Sequence, residues 1–189
     1  MPKKTVILAS ASPRRERLLK KIVKKFRILP SQVDESKIAY KTPEGFAVKA
    51  ALAKAEDVAL GQINAIVIGA DTIVVLDNQI LGKPKDAKHA AAMLKSLAGK
   101  THRVITGLAV LDSDSGEILA DFVETKVKMK KVSEQEILDY VKSGQPLDKA
   151  GSYGIQEIEG IFIDKVVGDY DNVVGLPLKR LKSMLAKIS

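Results

Sequence analysis

The chain alternates short runs of consecutive apolar residues with longer stretches whose apolar positions recur at helical spacing. The runs Thr5-Val6-Ile7-Leu8-Ala9 and Ala65–Leu76 predict strands, and the second is continuous enough to be buried on both faces. Leu18, Leu19, Ile22, Val23 and Phe26 lay one stripe along a first helix, and Phe26–Pro30 predicts a short strand after it. Thr42-Pro43-Glu44 opens a second helix to about Leu60, with Ala47, Ala50, Ala51, Ala55 and Val58 facing inward and Gly61 ending it. Asp86 caps a third, with Ala87, Ala90, Ala91, Leu94 and Leu97 inward and Gly99 at its end. Two strands follow, His102 to Leu111 and Glu117 to Val132, joined by the turn Asp112-Ser113-Asp114-Ser115-Gly116. In the second of these, Val123, Thr125, Val127 and Met129 alternate with Glu124, Lys126, Lys128 and Lys130, a half-buried strand with a basic outer face. Ser133 and Glu136 form a capping box for a short helix burying Ile137, Leu138 and Val141. Ile161-Phe162-Ile163 returns as a strand, and Gly175-Leu176-Pro177 opens a last helix with Leu178, Leu181, Leu185 and Ile188 on one side.

Several polar positions interrupt this pattern. Between the first strand and helix stands Ser10-Ala11-Ser12-Pro13-Arg14-Arg15. Ser12 is placed to cap the helix and Pro13 suits its first position, so free N–H groups and the positive dipole end form an anion site there. Two arginines at that end oppose the dipole, a local inconsistency expected where function overrides stability. A ligand phosphate would explain them; a solvated basic helix start also accounts for the same residues. Lys54 falls on the margin of the second helix's apolar stripe, where it either snorkels to water or points to a phosphate in a cleft. Asp71 and Thr72 break the apolar run after Gly69, and a carboxylate there is expensive unless it is paired, hydrogen-bonded or on a metal. Lys83 is held between Gly82 and Pro84 on a rigid loop. The loop Pro146 to Gln156 is rich in small residues that admit close backbone approach, and it carries Asp148, Lys149 and Gln156.

The 189 residues, 46% of them hydrophobic, are enough for one well-buried core built as one or two lobes. Without cysteine there is no disulfide, cysteine zinc site or cysteine nucleophile, and an intracellular, cytoplasmic home is expected. No apolar run approaches the roughly 18 residues of a membrane span, and the chain starts without a long apolar signal segment. The net charge of +8 and pI of about 9.5 fit nucleic acid or phosphorylated small molecules drawn to a basic cleft. His89 and His102, the only histidines, stand among polar neighbours, which argues against a histidine triad or zinc site. Gly99-Lys100-Thr101 is not a P-loop, because it ends a helix, and the acidic turn after Leu111 does not have calcium-loop spacing. The polar set is therefore Ser10, Arg14, Arg15, Glu35, Lys54, Asp71, Thr72, Lys83, Asp148, Lys149 and Gln156: phosphate binders, carboxylates for a metal, and one amide suited to a base edge.

Five of its motifs, Ala9-Ser10-Ala11-Ser12-Pro13-Arg14-Arg15, Gly69-Ala70-Asp71-Thr72, Gly82-Lys83-Pro84, Leu147 to Gln156 and Val174-Gly175-Leu176-Pro177, occur in an order that resembles the Maf (septum formation inhibitor) family of nucleoside triphosphate pyrophosphatases. The likeness runs from near residue 5 to near 185, and departs mildly at Ser152, where the family often has Ala. It implies an elongated, two-lobed α/β fold with a central mixed twisted sheet flanked by helices, related to inosine triphosphate pyrophosphatases, with residues 1–189 forming a single domain around a cleft. It implies hydrolysis between the α and β phosphates of a nucleoside triphosphate with Mg²⁺, Mn²⁺ or Co²⁺. Asp71 matches the family's proposed proton acceptor, and Arg14, Thr72 and Gln156 match positions of the dTTP/UTP subgroup. The residues fit this chemistry: Arg14, Arg15, Lys54 and Lys83 offset phosphate charge, and Glu35 and Asp71 are the carboxylates expected to hold the metal. Ser10, Asp148 and Lys149 join the expected substrate contacts. A homodimer is consistent with the likeness, and neither a membrane nor a stable nucleic-acid complex is expected. Two alternatives stand beside this reading, the same chemistry on a modified nucleotide and a non-enzymatic basic regulator of cell division that binds nucleic acid.

Overall fold

A computed structural model describes residues 4–188; residues 1–3 and 189 of the expected domain lie outside it. The strands are β1 (Thr5–Leu8), β2 (Arg27–Ile28), β3 (Ala65–Leu76), β4 (Gln79–Leu81), β5 (Thr101–Asp112), β6 (Ile118–Met129) and β7 (Ile163–Val167). The helices are α1 (Pro13–Lys20), α2 (Pro43–Ala59), α3 (Ala87–Leu97), α4 (Glu134–Lys142), α5 (Ile155–Ile158), α6 (Tyr170–Val174) and α7 (Leu178–Ile188). The strands form one mixed sheet in the order β2-β1-β3-β5-β6-β7, with β4 paired to β3. β1 runs parallel to β2 and β3, β4 antiparallel to β3, and β7 antiparallel to β6. The expected α/β class, a mixed sheet with flanking helices, is therefore present. Among the described residues no helix is long and apolar enough to cross a membrane.

The chain divides into two compact units, and β3, β5 and β6 each change unit partway along their length. The first holds residues up to Asp71, Thr106–Val123 and the segment from Gly175 onward. There α2 lies directly on the sheet. A Cβ built on Gly69 would stand 2.1 Å from the Ala51 carbonyl oxygen, and one on Gly107 2.0 Å from that of Ala47. Only glycine lets the helix backbone come this close. Ala51, Ala55 and Val58 pack there against Ile7, Val67, Ala109 and Leu111. The second unit holds Thr72–Ile105 and Glu124–Val174. In it α3 packs on α4, with Met93, Leu94, Leu97, Ile137 and Val141 buried. The Asn172 amide of α6 donates to the Val104 carbonyl and the Thr125 hydroxyl, both at 3.0 Å.

Some expectations need correction. α1 stops at Lys20, so Ile22, Val23 and Phe26 lie beyond it. Continuing the helix would stack Lys20 on Lys24 and Lys21 on Lys25, like charges one turn apart. Ala87 and Leu138 are exposed. Met93 completes the inward face of α3, and Met184 takes the place expected for Leu185 in α7. β7 begins at Ile163 because Ile161 and Phe162 still donate backbone bonds to the Ile158 carbonyl. β4 follows a tight turn with positive φ at both Asp77 and Asn78, the geometry that matches strand twist. His102 is not in polar surroundings: it is 2% exposed, because its position on β5 points to the covered face.

Candidate active site

β1 delivers the chain into the α1 turn as expected. The Ser12 hydroxyl accepts from the Arg15 backbone N–H at 3.4 Å, and Pro13 takes the first helical position. The buried Ser10 hydroxyl accepts from the Ser12 N–H and from Arg15 Nη1, both at 3.2 Å. Arg15 Nε donates to the Gly175 carbonyl at 2.9 Å, which ties the helix start to the segment leading into α7. Burial lowers the Arg15 guanidinium from its ordinary value; Asp71 and Glu35 oppose that effect and Arg14 adds to it. These four charged groups therefore share one electrostatic neighbourhood.

Asp71 is 6% exposed. It lies two residues after Gly69, so both face the same side of β3, where α2 sits. Lys54, one turn beyond Ala51 on α2, meets it there. Its ammonium donates to Asp71 Oδ1 at 2.7 Å and lies 2.5 Å from Glu35 Oε1. Lys54 thus neither snorkels nor stands free; its side chain is 12% exposed and bridges two carboxylates. Glu35 comes from a single helical turn, Glu35–Lys37, which Asp34 caps by accepting from the Ser36 N–H. The unit thereby gathers Ser10, Arg14, Arg15, Glu35, Lys54 and Asp71: three cations, two carboxylates and a hydroxyl.

Thr72, Lys83, Asp148, Lys149 and Gln156 belong to the second unit. Thr72 is half-buried on β3 and Lys83 is exposed on the loop after β4. Lys149, an expected substrate contact, has its ammonium held within the protein. It donates to the Gln145 carbonyl, to Asp148 Oδ1 at 2.7 Å, and lies 3.1 Å from Glu157 Oε1. Gln156 is exposed on α5. Glu157 and Tyr140 escaped the sequence reading, since the eight residues from Lys149 to Glu157 and seventeen from Tyr140 to Glu157 carry no local spacing signal.

The expected metal ligands are Glu35 and Asp71. Among the described residues no three acidic or histidine side chains converge on a metal position. The two carboxylates already converge on one cation, the Lys54 ammonium. This all-oxygen pair suits a hard divalent cation that takes its remaining ligands from water and substrate phosphates.

Residues 5–188 match the family model described as Maf-like protein. A dTTP/UTP pyrophosphatase of Clostridium botulinum (strain Kyoto / Type A2) is 49% identical over 189 residues, covering 98% of this chain and 97% of that protein. One of Clostridioides difficile (strain 630) is 44% identical over 182 residues, covering 96% and 94%. The fold is similar to that of the Staphylococcus aureus Ham1 protein, with a TM-score of 0.56 and 14% identity over 98% of this chain and 100% of that one. A HAM1 protein from Coxiella burnetii gives 0.54 and 13% over 97% and 99%. By sequence along almost its whole length, the chain belongs to the Maf-like protein family.

Proposed function

We propose that the chain is a nucleoside triphosphate pyrophosphatase acting on dTTP and UTP, releasing pyrophosphate and the monophosphate. One observation carries this reading: a nearly buried carboxylate, Asp71, stands in an apolar strand with its charge shared through Lys54 with Glu35, in the electrostatic range of Arg15. The names of its 44–49% identical relatives support the substrate. Arg14, Arg15 and the α1 N-terminus bind the phosphate chain, with Ser10 holding Arg15 in place. Asp71 orients the attacking water and takes its proton. Lys54 keeps Asp71 and Glu35 at a fixed separation and offsets charge developing on the phosphates. A divalent cation held by Glu35 and Asp71, Mg²⁺, Mn²⁺ or Co²⁺, would polarise the phosphoryl oxygens when bound. Thr72, Lys83, Asp148 and Gln156 serve substrate recognition. The Gln156 amide offers the donor and acceptor that a uracil or thymine edge requires. A cytoplasmic setting belongs to the same reading.

The test is a pyrophosphate-release assay over the common triphosphates, with 5-methyl-UTP, pseudo-UTP and 5-methyl-CTP, each with Mg²⁺, Mn²⁺ or Co²⁺. Release from dTTP and UTP by the wild type, abolished in Asp71→Asn, is the expected outcome. No release from either pyrimidine nucleotide would overturn the reading.

A further inference from the structure

Around Gln156 nearly every residue is fixed by the protein, and Gln156 is the exception. Gly151 has φ +66°, and a Cβ there would lie 2.8 Å from the Val74 side chain. Ser152 has φ +62°, is fully buried, and its hydroxyl lies 3.1 Å from Met93 Sδ. A non-glycine residue in the left-handed region persists only where its surroundings hold it there. Tyr153, Ile155 and Ile158 are buried. Gln156, on the first turn of α5, is exposed, and its amide makes no hydrogen bond to other described residues.

Its neighbour is pinned from two directions. Glu157 Oε2 accepts from the Tyr140 hydroxyl at 2.7 Å, and Glu157 Oε1 lies 3.1 Å from the Lys149 ammonium. The Tyr140 hydroxyl in turn accepts from the Gly154 N–H at 3.3 Å. Lys149 is 7% exposed and directs its other donors to Asp148 and the Gln145 carbonyl. A Cβ on Gly154 would lie 2.9 Å from the Glu157 carboxylate, so the backbone before α5 is packed against the same group. A half-buried lysine–glutamate–tyrosine network adds little net stability, because the desolvation of its charges offsets their attraction. What it does provide is a fixed orientation for the turn from Gly154 to Glu157.

We propose that Tyr140, Lys149 and Glu157 are positioning residues that fix the direction in which α5 presents the Gln156 amide, and that through it they set the preference among bases. This rests on the assignment of the chain as a pyrimidine triphosphate pyrophosphatase that reads its base with Gln156. An amide that is free to swing would still meet the base, but at an entropic cost and without discriminating between donor and acceptor patterns.

The experiment measures kcat and KM for UTP and ATP in the wild type, Gln156→Ala, Tyr140→Phe, Glu157→Gln and the double variant Gln156→Ala/Tyr140→Phe. Tyr140→Phe keeps the ring that packs edge-on against Phe162 at 5.6 Å, and Glu157→Gln keeps the shape and one acceptor. Each conservative variant should raise KM for UTP by about tenfold, the size of one lost hydrogen bond, with kcat within about twofold. Hydrolysis of ATP should be unchanged, so the UTP/ATP ratio of kcat/KM falls by the same factor. The double variant should be no worse than Gln156→Ala, since a residue acting through another adds nothing once that other is gone. Additive effects in the double variant, an unchanged UTP/ATP ratio, or an equal loss for both substrates would each overturn the proposal. Absence of UTP hydrolysis in the wild type overturns the functional assignment, a result separate from the coupling.

Discussion

His102 makes acid stability a direct test of the fold. Its imidazole is 2% exposed on β5, with Nε2 2.6 Å from the Tyr153 hydroxyl and Nδ1 lacking any hydrogen-bond partner among the described residues. Burial lowers its pKa from 6.5 to about 4. The folded protein therefore keeps this ring neutral at pH values where the unfolded chain protonates it. The unfolded state binds the extra proton, so stability is full above pH 6.5, falls as the pH drops from 6.5 toward 4, and levels off below that. At about 1.4 kcal/mol for each tenfold in the proton equilibrium, the span from 6.5 to about 4 amounts to roughly 3 kcal/mol. Carboxylates titrate over part of the same range, so the comparison needs a reference. The double variant His102→Phe/Tyr153→Phe replaces both partners with apolar rings of similar shape, a change that leaves little penalty of its own. Urea unfolding at a series of pH values from about 7.5 to about 4 should show the wild type losing roughly 3 kcal/mol more than the variant. Parallel losses in the two proteins, or an NMR titration placing His102 near its ordinary value of 6.5 in the folded state, would refute the reasoning.

Two further outcomes follow from α2. Gly107→Ala places a methyl against the Ala47 carbonyl and should cost at least about 1–3 kcal/mol, read as a lower urea midpoint with an unchanged slope. An unmoved midpoint would mean the helix is not seated on the strand. Lys54→Met leaves the buried Asp71 carboxylate without its cation and should destabilise by about 3 kcal/mol. Excess Mg²⁺ should then raise the melting temperature of that variant more than that of the wild type; equal responses would argue against a cation position between Asp71 and Glu35.

Local chemistry was legible wherever the sequence carries it in neighbouring residues. The Ser12-Pro13 helix start, the Ser133–Glu136 capping box and the whole of β3 stand where the sequence places them. A glycine at 69 inside a strand fits either a bulge or a close backbone approach, and the structure shows the approach, with α2 as the partner. The length of α1 was not legible, because the apolar stripe through Ile22, Val23 and Phe26 continues at helical spacing past Lys20, where the helix stops. Lys54 was ambiguous on its own helix, since only Glu35 and Asp71, distant in sequence, decide where it points. The anchoring of Lys149 was hidden for the same reason: its partner Glu157 lies eight residues on, across a kinked turn at Gly151 and the start of α5, so no single helical or strand period connects them. His102 stood beside Thr101 and Arg103 in sequence, and only the sheet reveals that it points the other way.

The seating of α2 on Gly69 and Gly107 has a mechanical meaning. Where two elements meet through side chains, rotamers give the joint some play. Here main chain rests on main chain at Gly69 and Gly107, with alanine the nearest helix residue at both. There is no rotamer to relax, so the gap between helix and strand is a constant of peptide geometry. A larger residue at Ala51 or Ala55 would lift the helix like a shim and draw the Lys54 ammonium off Asp71 without touching either residue. The poverty of that helical face, which contributes little burial per residue, is what keeps the reach of a flexible lysine calibrated.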